Sequence, residues 1–99
     1  MMKTEVVNKY KESYDVYIGR GSIFGNPYVI GKDGTREEVI EKYRLWFKEQ
    51  LKNLKFYVEV QKLQGKKLGC FCKPAACHGD VIVDYLNNGA VKGFNEFYG

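Results

Sequence analysis

No run of apolar residues in this chain approaches the ~20 needed to cross a bilayer, and the opening Met1-Met2-Lys3-Thr4-Glu5 lacks the apolar stretch of a secretory signal. These two absences argue against a membrane partner and lead us to expect a cytoplasmic protein. Cysteine is scarce and odd in number: three thiols cannot all pair, which points to thiol chemistry, metal binding or buried packing and away from a disulfide framework. Internal repeats, low-complexity tracts and linkers rich in Pro, Gly or Ser are missing too. With 99 residues there is room for one core only, so residues 1–99 read as a single domain. Sixteen basic residues stand against twelve acidic ones, and the net +4 favours anionic partners while being too mild and too scattered to specify nucleic acid.

What is present suffices for a folded core, since 44% of residues are hydrophobic and 15% aromatic, where a disordered chain is poor in both. Glu5-Val6-Val7 and Asp15-Val16-Tyr17-Ile18 are β-branched and aromatic runs separated by a polar stretch, and read as two strands. Between Gly19 and Gly34 five glycines, Pro27 and Asn26 mark a long shaped loop, with a short extended piece at Tyr28-Val29-Ile30. Thr35-Arg36-Glu37-Glu38 is a capping box that starts a helix. Ile40, Tyr43, Phe47 and Leu51, widened by Val39 and Trp46, recur at helical spacing to about Asn53. Leu54 to Leu63 continues as a second helix, although Phe56 to Val60 also fits a strand. Gly65 closes that segment, Lys67-Leu68-Gly69-Cys70-Phe71 is a short central strand, and Val81, Ile82, Tyr85 and Leu86 place a last helix from about Gly79 to Asn88. The tail, 89–99, is expected to be loosely held.

Strand, loop, helices, strand, loop, helix is the order of a βαβ unit. The expected class is therefore α/β: a small two-layer or three-layer Rossmann-like domain with a short, mainly parallel sheet. In such sheets the loops leaving the carboxyl ends of neighbouring strands share one edge, where ligands bind. The Gly19-Arg20-Gly21-Ser22 loop and the loop from Cys72 to Asp80 should meet there.

In the first loop, Gly19 and Gly21 let the backbone approach a ligand, Arg20 can fork onto a phosphate or carboxylate, and Ser22 and Asn26 offer polar edges. A glycine-rich turn with a solvated arginine explains the same residues without a ligand. In the second, Cys70, Cys72, Cys77 and His78 form C-x-C-x4-C-H, the donor set of zinc, although adjacent Cys77 and His78 are unusual as ligands. Cys77 at the start of a helix is alternatively a candidate nucleophile, with His78 and Asp80 for proton transfer. Buried cysteines that only pack are the plain alternative. Tyr43, Trp46 and Phe47 read as core, whereas Tyr17, Phe24 and Tyr28 flank the glycine loop and are placed to stack on a ligand ring.

Taken together, Gly19-Arg20-Gly21-Ser22, Gly25-Asn26-Pro27 and Cys70-Phe71-Cys72 with Cys77-His78-Gly79-Asp80 resemble a family of small uncharacterised phage and bacterial proteins, a domain of unknown function. The resemblance covers about residues 15 to 88 and implies that both loops belong to one site, without supplying a reaction. The Cys-His segment is also similar to that of another small α/β family of unknown function. Two functions follow as expectations. One is binding, with or without enzymatic conversion, of a nucleotide, nucleoside or related phosphorylated small molecule at the junction of the two loops. The other is a zinc-stabilised, non-enzymatic module that binds nucleic acid or protein.

Overall fold

The structure, a computed structural model, describes residues 3–73 and 75–88; the expected tail at 89–99 lies outside them. Three strands, β1 (Glu5–Asn8), β2 (Val16–Tyr17) and β3 (Lys67–Cys70), and three helices, α1 (Arg36–Gln50), α2 (Leu54–Gln61) and α3 (Gly79–Asn88), follow one another as β1-β2-α1-α2-β3-α3. The sheet order is β1-β3-β2, with both neighbours parallel to β3. Val6, Leu68 and Val16 share one register position, and Val7, Gly69 and Tyr17 the next.

That register sorts the two faces. Leu68, Cys70 and Ile18 join Tyr43 and Phe47 of α1, Phe56 and Val60 of α2, and Val81 and Ile82 of α3 in one buried cluster, so the helices cover a single face. On the other face no side chain stands at Gly69, and a Cβ there would sit 2.6 Å from the ring of Tyr14. Residues 9–15, which carry the chain from β1 past β3 to β2, thus lie across the sheet, and the glycine is the space they need. The domain is α/β with one helical layer, and the crossover that links its adjacent parallel strands is β2-α1-α2-β3.

Local chemistry explains the elements. The Thr35 hydroxyl accepts from the Glu38 amide at 3.2 Å and the Glu38 carboxylate from the Thr35 amide at 2.8 Å, so the capping box is complete. The Thr35 backbone bond, chiefly, holds the Glu38 carboxyl below its ordinary pKa. Val39, Tyr43 and Phe47 are the buried face of α1. Residues 54–61 settle as helix because the Asn53 side chain caps the Phe56 amide while Phe56 and Val60, four apart, turn inward. Gly65, at φ +76°, makes the turn into β3. Thr4 ties the start of β1 to the end of α3, exchanging two backbone bonds with the Asn87 amide while its hydroxyl accepts from the Gly65 N–H.

Two expectations need adjustment. β2 is shorter than its apolar run, because after Tyr17 the chain turns off the sheet edge with only the Ile18 N–H still bonded to Gly69 O. The extended piece at residues 28–30 amounts to one isolated bridge, Ile30 with Gly34.

Candidate functional site at the carboxyl edge of the sheet

Because β2 and β3 are parallel, the segments that leave them, from Ile18 and from Phe71, emerge on the same edge. They meet at a small open cleft of about 80 Å3, lined among others by Arg20, Tyr28, Arg36, Cys72, Cys77 and His78.

The first loop is folded mainly onto itself. Ser22 Oγ donates to Gly19 O at 2.7 Å. Asn26 spends its amide on Val39 O and its carbonyl on the Tyr28 N–H, an Asx turn that ties the loop to α1. Arg20 donates to Asn26 O at 3.0 Å and Tyr28 O at 3.3 Å. Gly19 is buried beneath the Tyr17 ring, and Gly25 is pressed against its carbonyl, where a Cβ would lie 2.8 Å away. Two of these glycines therefore serve close packing of the loop, while Gly21, at φ +92°, serves the turn.

Of the aromatics expected to face a ligand, Tyr28 alone lines the cleft. Phe24 is buried in the core, packed on Phe56, and its carbonyl accepts the buried Tyr43 hydroxyl at 2.7 Å. Tyr17 turns to the opposite face, edge-on to Phe71 with Lys9 Nζ 4.7 Å above its ring. Tyr43 and Phe47 are fully buried and Trp46 packs against them, as their helical spacing implied.

The second segment carries the titratable groups. Cys70 ends β3, and Cys77 stands in the turn before α3. Their sulfurs are 2.6 Å apart, and with half-buried Cys72 the three sulfurs lie within 4.8 Å of one another. Three thiols so grouped can hold a metal ion. A tetrahedral zinc with bonds of ~2.3 Å sets its sulfurs about 3.8 Å apart, so Cys70 and Cys77 would have to separate by roughly 1 Å and a fourth donor would have to join them.

The short sulfur contact also sets protonation. Hydrogen bonding from Cys77 lowers the Cys70 thiol to about 5, and the same contact, with burial, drives Cys77 upward. The contact therefore favours ionisation at Cys70 and opposes it at Cys77.

His78 is the only histidine of the chain. It is buried edge-on to the Tyr43 ring, with Nε2 2.7 Å from Ile18 O. A carbonyl can only accept, so Nε2 carries a hydrogen, while Nδ1 lies 3.6 Å from Cys77 Sγ. Asp80 stands elsewhere. Its carboxylate accepts the Cys77 N–H at 3.0 Å and pairs with Lys73 at 2.8 Å, which fixes the turn before α3 and places no carboxylate on the imidazole. Cys77, His78 and Asp80 accordingly do not form a relay.

One residue of the cleft escaped the sequence reading. Arg36 was visible only as the first position after the Thr35 cap, yet its guanidinium reaches Ala76 O at 3.0 Å and joins the glycine loop to the thiol segment. A contact between residues forty apart leaves no local pattern to find.

A parallel α/β domain with two convergent edge loops, one glycine-rich and one bearing clustered thiols, is the class that this fold and site define. The chain belongs to a domain of unknown function family, DUF4326, which it matches over residues 2–88. It is also similar to a protein of Enterobacteria phage T4 described as an uncharacterised 12.4 kDa protein in the nrdA-td intergenic region. The two are 44% identical over 84 residues, spanning 83% of this chain and 76% of that protein. The resemblance to a small phage-encoded family holds. No solved structure matches the chain, and among the described residues no helix is long and apolar enough to cross a membrane.

Proposed function

We propose that the cleft binds a small anionic ligand of the nucleotide, nucleoside or phosphorylated-metabolite class, with the anion held between Arg20 and Arg36. The observation that carries this reading is that two guanidinium groups line one small cleft, each steadied by backbone carbonyls. A guanidinium has five N–H donors in a fixed fork, and Arg20 uses two groups and Arg36 one on those carbonyls, which leaves directed donors for a phosphate or carboxylate. His78 Nδ1 and Cys77 supply polar contacts at the other end of the cleft, and the ring of Tyr28 supplies a stacking face. Placement beyond the carboxyl ends of parallel strands is the Rossmann-like feature we invoke in support. Gly19, Gly21 and Ser22 shape the loop that carries Arg20, and Asn26 lines the cleft beside it.

Calorimetric titration of the full chain with inorganic phosphate and a panel of nucleoside mono-, di- and triphosphates tests the reading. At least one ligand should bind, and Arg36→Ala should weaken it tenfold or more, about 1.4 kcal/mol, with an unchanged circular dichroism spectrum. Absence of binding across the panel, or the same affinity in Arg36→Ala, sinks the proposal. Following the bound ligand by NMR separates a binder from an enzyme, since only the latter changes the ligand's spectrum with time.

A second reading, a zinc-stabilised module for nucleic acid or protein, is favoured by the grouping of Cys70, Cys72 and Cys77. It requires one zinc per chain by elemental analysis, loss of fold on chelation, and nucleic-acid affinity that drops steeply with salt.

A further inference from the structure

We propose that Cys70 and Cys77 are a reversible redox pair that closes into an intramolecular disulfide, with Cys72 remaining a free thiol at the cleft. The 2.6 Å between the two sulfurs is nearer the ~2.05 Å of a covalent S–S bond than to the separation that a shared zinc requires. Closing the bond therefore asks for a shift of about half an ångström, which side-chain rotation can supply. The two residues sit on adjoining rigid elements, Cys70 as the last residue of β3 and Cys77 in a turn pinned by Asp80 and Arg36. Cys77 and Cys72 line the cleft, so a water-sized oxidant has a route to the pair. Cys72 differs from both partners in being only half-buried.

The oxidant is a hydroperoxide, in the simplest case hydrogen peroxide. Cys77, the member of the pair that lines the cleft, gives its proton to water, and its sulfur attacks one peroxide oxygen. The O–O bond breaks, a sulfenic acid forms, and the departing hydroxide takes a solvent proton to become water. The Cys70 sulfur then attacks the sulfenic sulfur: the S–S bond forms, the S–O bond breaks, and the hydroxide leaves as water with the Cys70 proton. Two electrons pass from the sulfurs to the peroxide, and a dithiol reductant reverses the change by exchange. Neither guanidinium takes part in the electron transfer, and Arg36 enters only by holding the Ala76 carbonyl, so the inference is independent of anion binding.

The test uses the full chain, freshly reduced and desalted, treated with a slight molar excess of hydrogen peroxide, then denatured and alkylated for intact-mass and peptide analysis. The expected product has lost two hydrogen atoms, carries one alkyl group instead of three, and maps that group to Cys72. Cys72→Ser should still form the bond and carry no alkyl group, whereas Cys70→Ser should form no Cys77 bond within the chain. The proposal is overturned by three alkyl groups after peroxide, by Cys72 in the bond, or by disulfides between chains. Zinc at one per chain that protects all the thiols until a chelator is added overturns it as well.

Discussion

The two loops at the carboxyl edge use their polar groups in opposite ways. From Gly19 to Asn26 the side chains bond inward: Ser22 to Gly19, Asn26 to Val39 and Tyr28, Arg20 to Asn26 and Tyr28. From Cys70 to His78 the reactive atoms bond chiefly to one another, sulfur to sulfur and sulfur to imidazole, and the backbone is held instead by Asp80 and Arg36. Hydrogen bonds spent on the backbone make a rigid wall, and thiols and an imidazole set against one another make a place for chemistry. The glycine-rich motif thus bonds mainly to itself, and the cysteine motif gathers the thiols and the imidazole.

If that division is right, the first loop should resist small changes more strongly than the second. Gly25→Ala puts a methyl 2.8 Å from Gly19 O and 3.2 Å from Arg20 Cα, both backbone atoms with little freedom to move. We expect a loss of up to about 3 kcal/mol, read as a lowered urea midpoint. Tyr43→Phe comes next: it strips the Phe24 carbonyl of its buried donor and should cost about 1–2 kcal/mol. Cys72→Ala, in the second loop, removes a half-buried thiol and should cost less than about 1 kcal/mol. A ranking in which Cys72→Ala is the most damaging of the three would reverse the comparison.

The scaffold and the chemistry also differ in how far the sequence discloses them. The capping box at Thr35 and Glu38, the α1 stripe through Tyr43 and Phe47, and the central strand at Lys67 to Cys70 were legible because each is a local signal with a fixed period or offset. The cysteine cluster was legible in part, from the C-x-C-x4-C spacing, but β3 ends at Cys70, so it is packing beyond the strand that brings Cys72 and Cys77 to it. Tertiary contacts decided the rest. Phe24 belongs to the core because Tyr43 and Phe56 reach it, not because of any pattern around residue 24. Gly69 is glycine because residues 9–15 cross above it, and a single strand cannot announce what passes over its face.

A last expected effect is read as a dependence on pH and concerns the paired thiols of the second loop. Folding lowers the Cys70 thiol to about 5 from its ordinary 9.0, so between those values the folded chain has released a proton that the unfolded chain still holds. Stability from this group therefore grows from about pH 5 toward 9 and is lost as pH falls through 5. Cys77 acts with the opposite sign: its thiol is raised above 9.0, so above that value the unfolded chain ionises while the folded chain keeps its proton, and stability declines. The pair alone thus predicts a maximum near pH 9 under reducing conditions. Other groups titrate in this range, so the measurement is a difference: urea unfolding of the wild-type chain and of Cys77→Ala, each from pH 5 to 10. Removing the Cys77 donor returns the Cys70 thiol toward its ordinary value, so both limbs should flatten in the variant, and the absorbance at 240 nm that marks a thiolate at pH 7 should diminish. Equal slopes in the two proteins would mean that neither sulfur sets the other's protonation, and the second loop would then be as inert as the first.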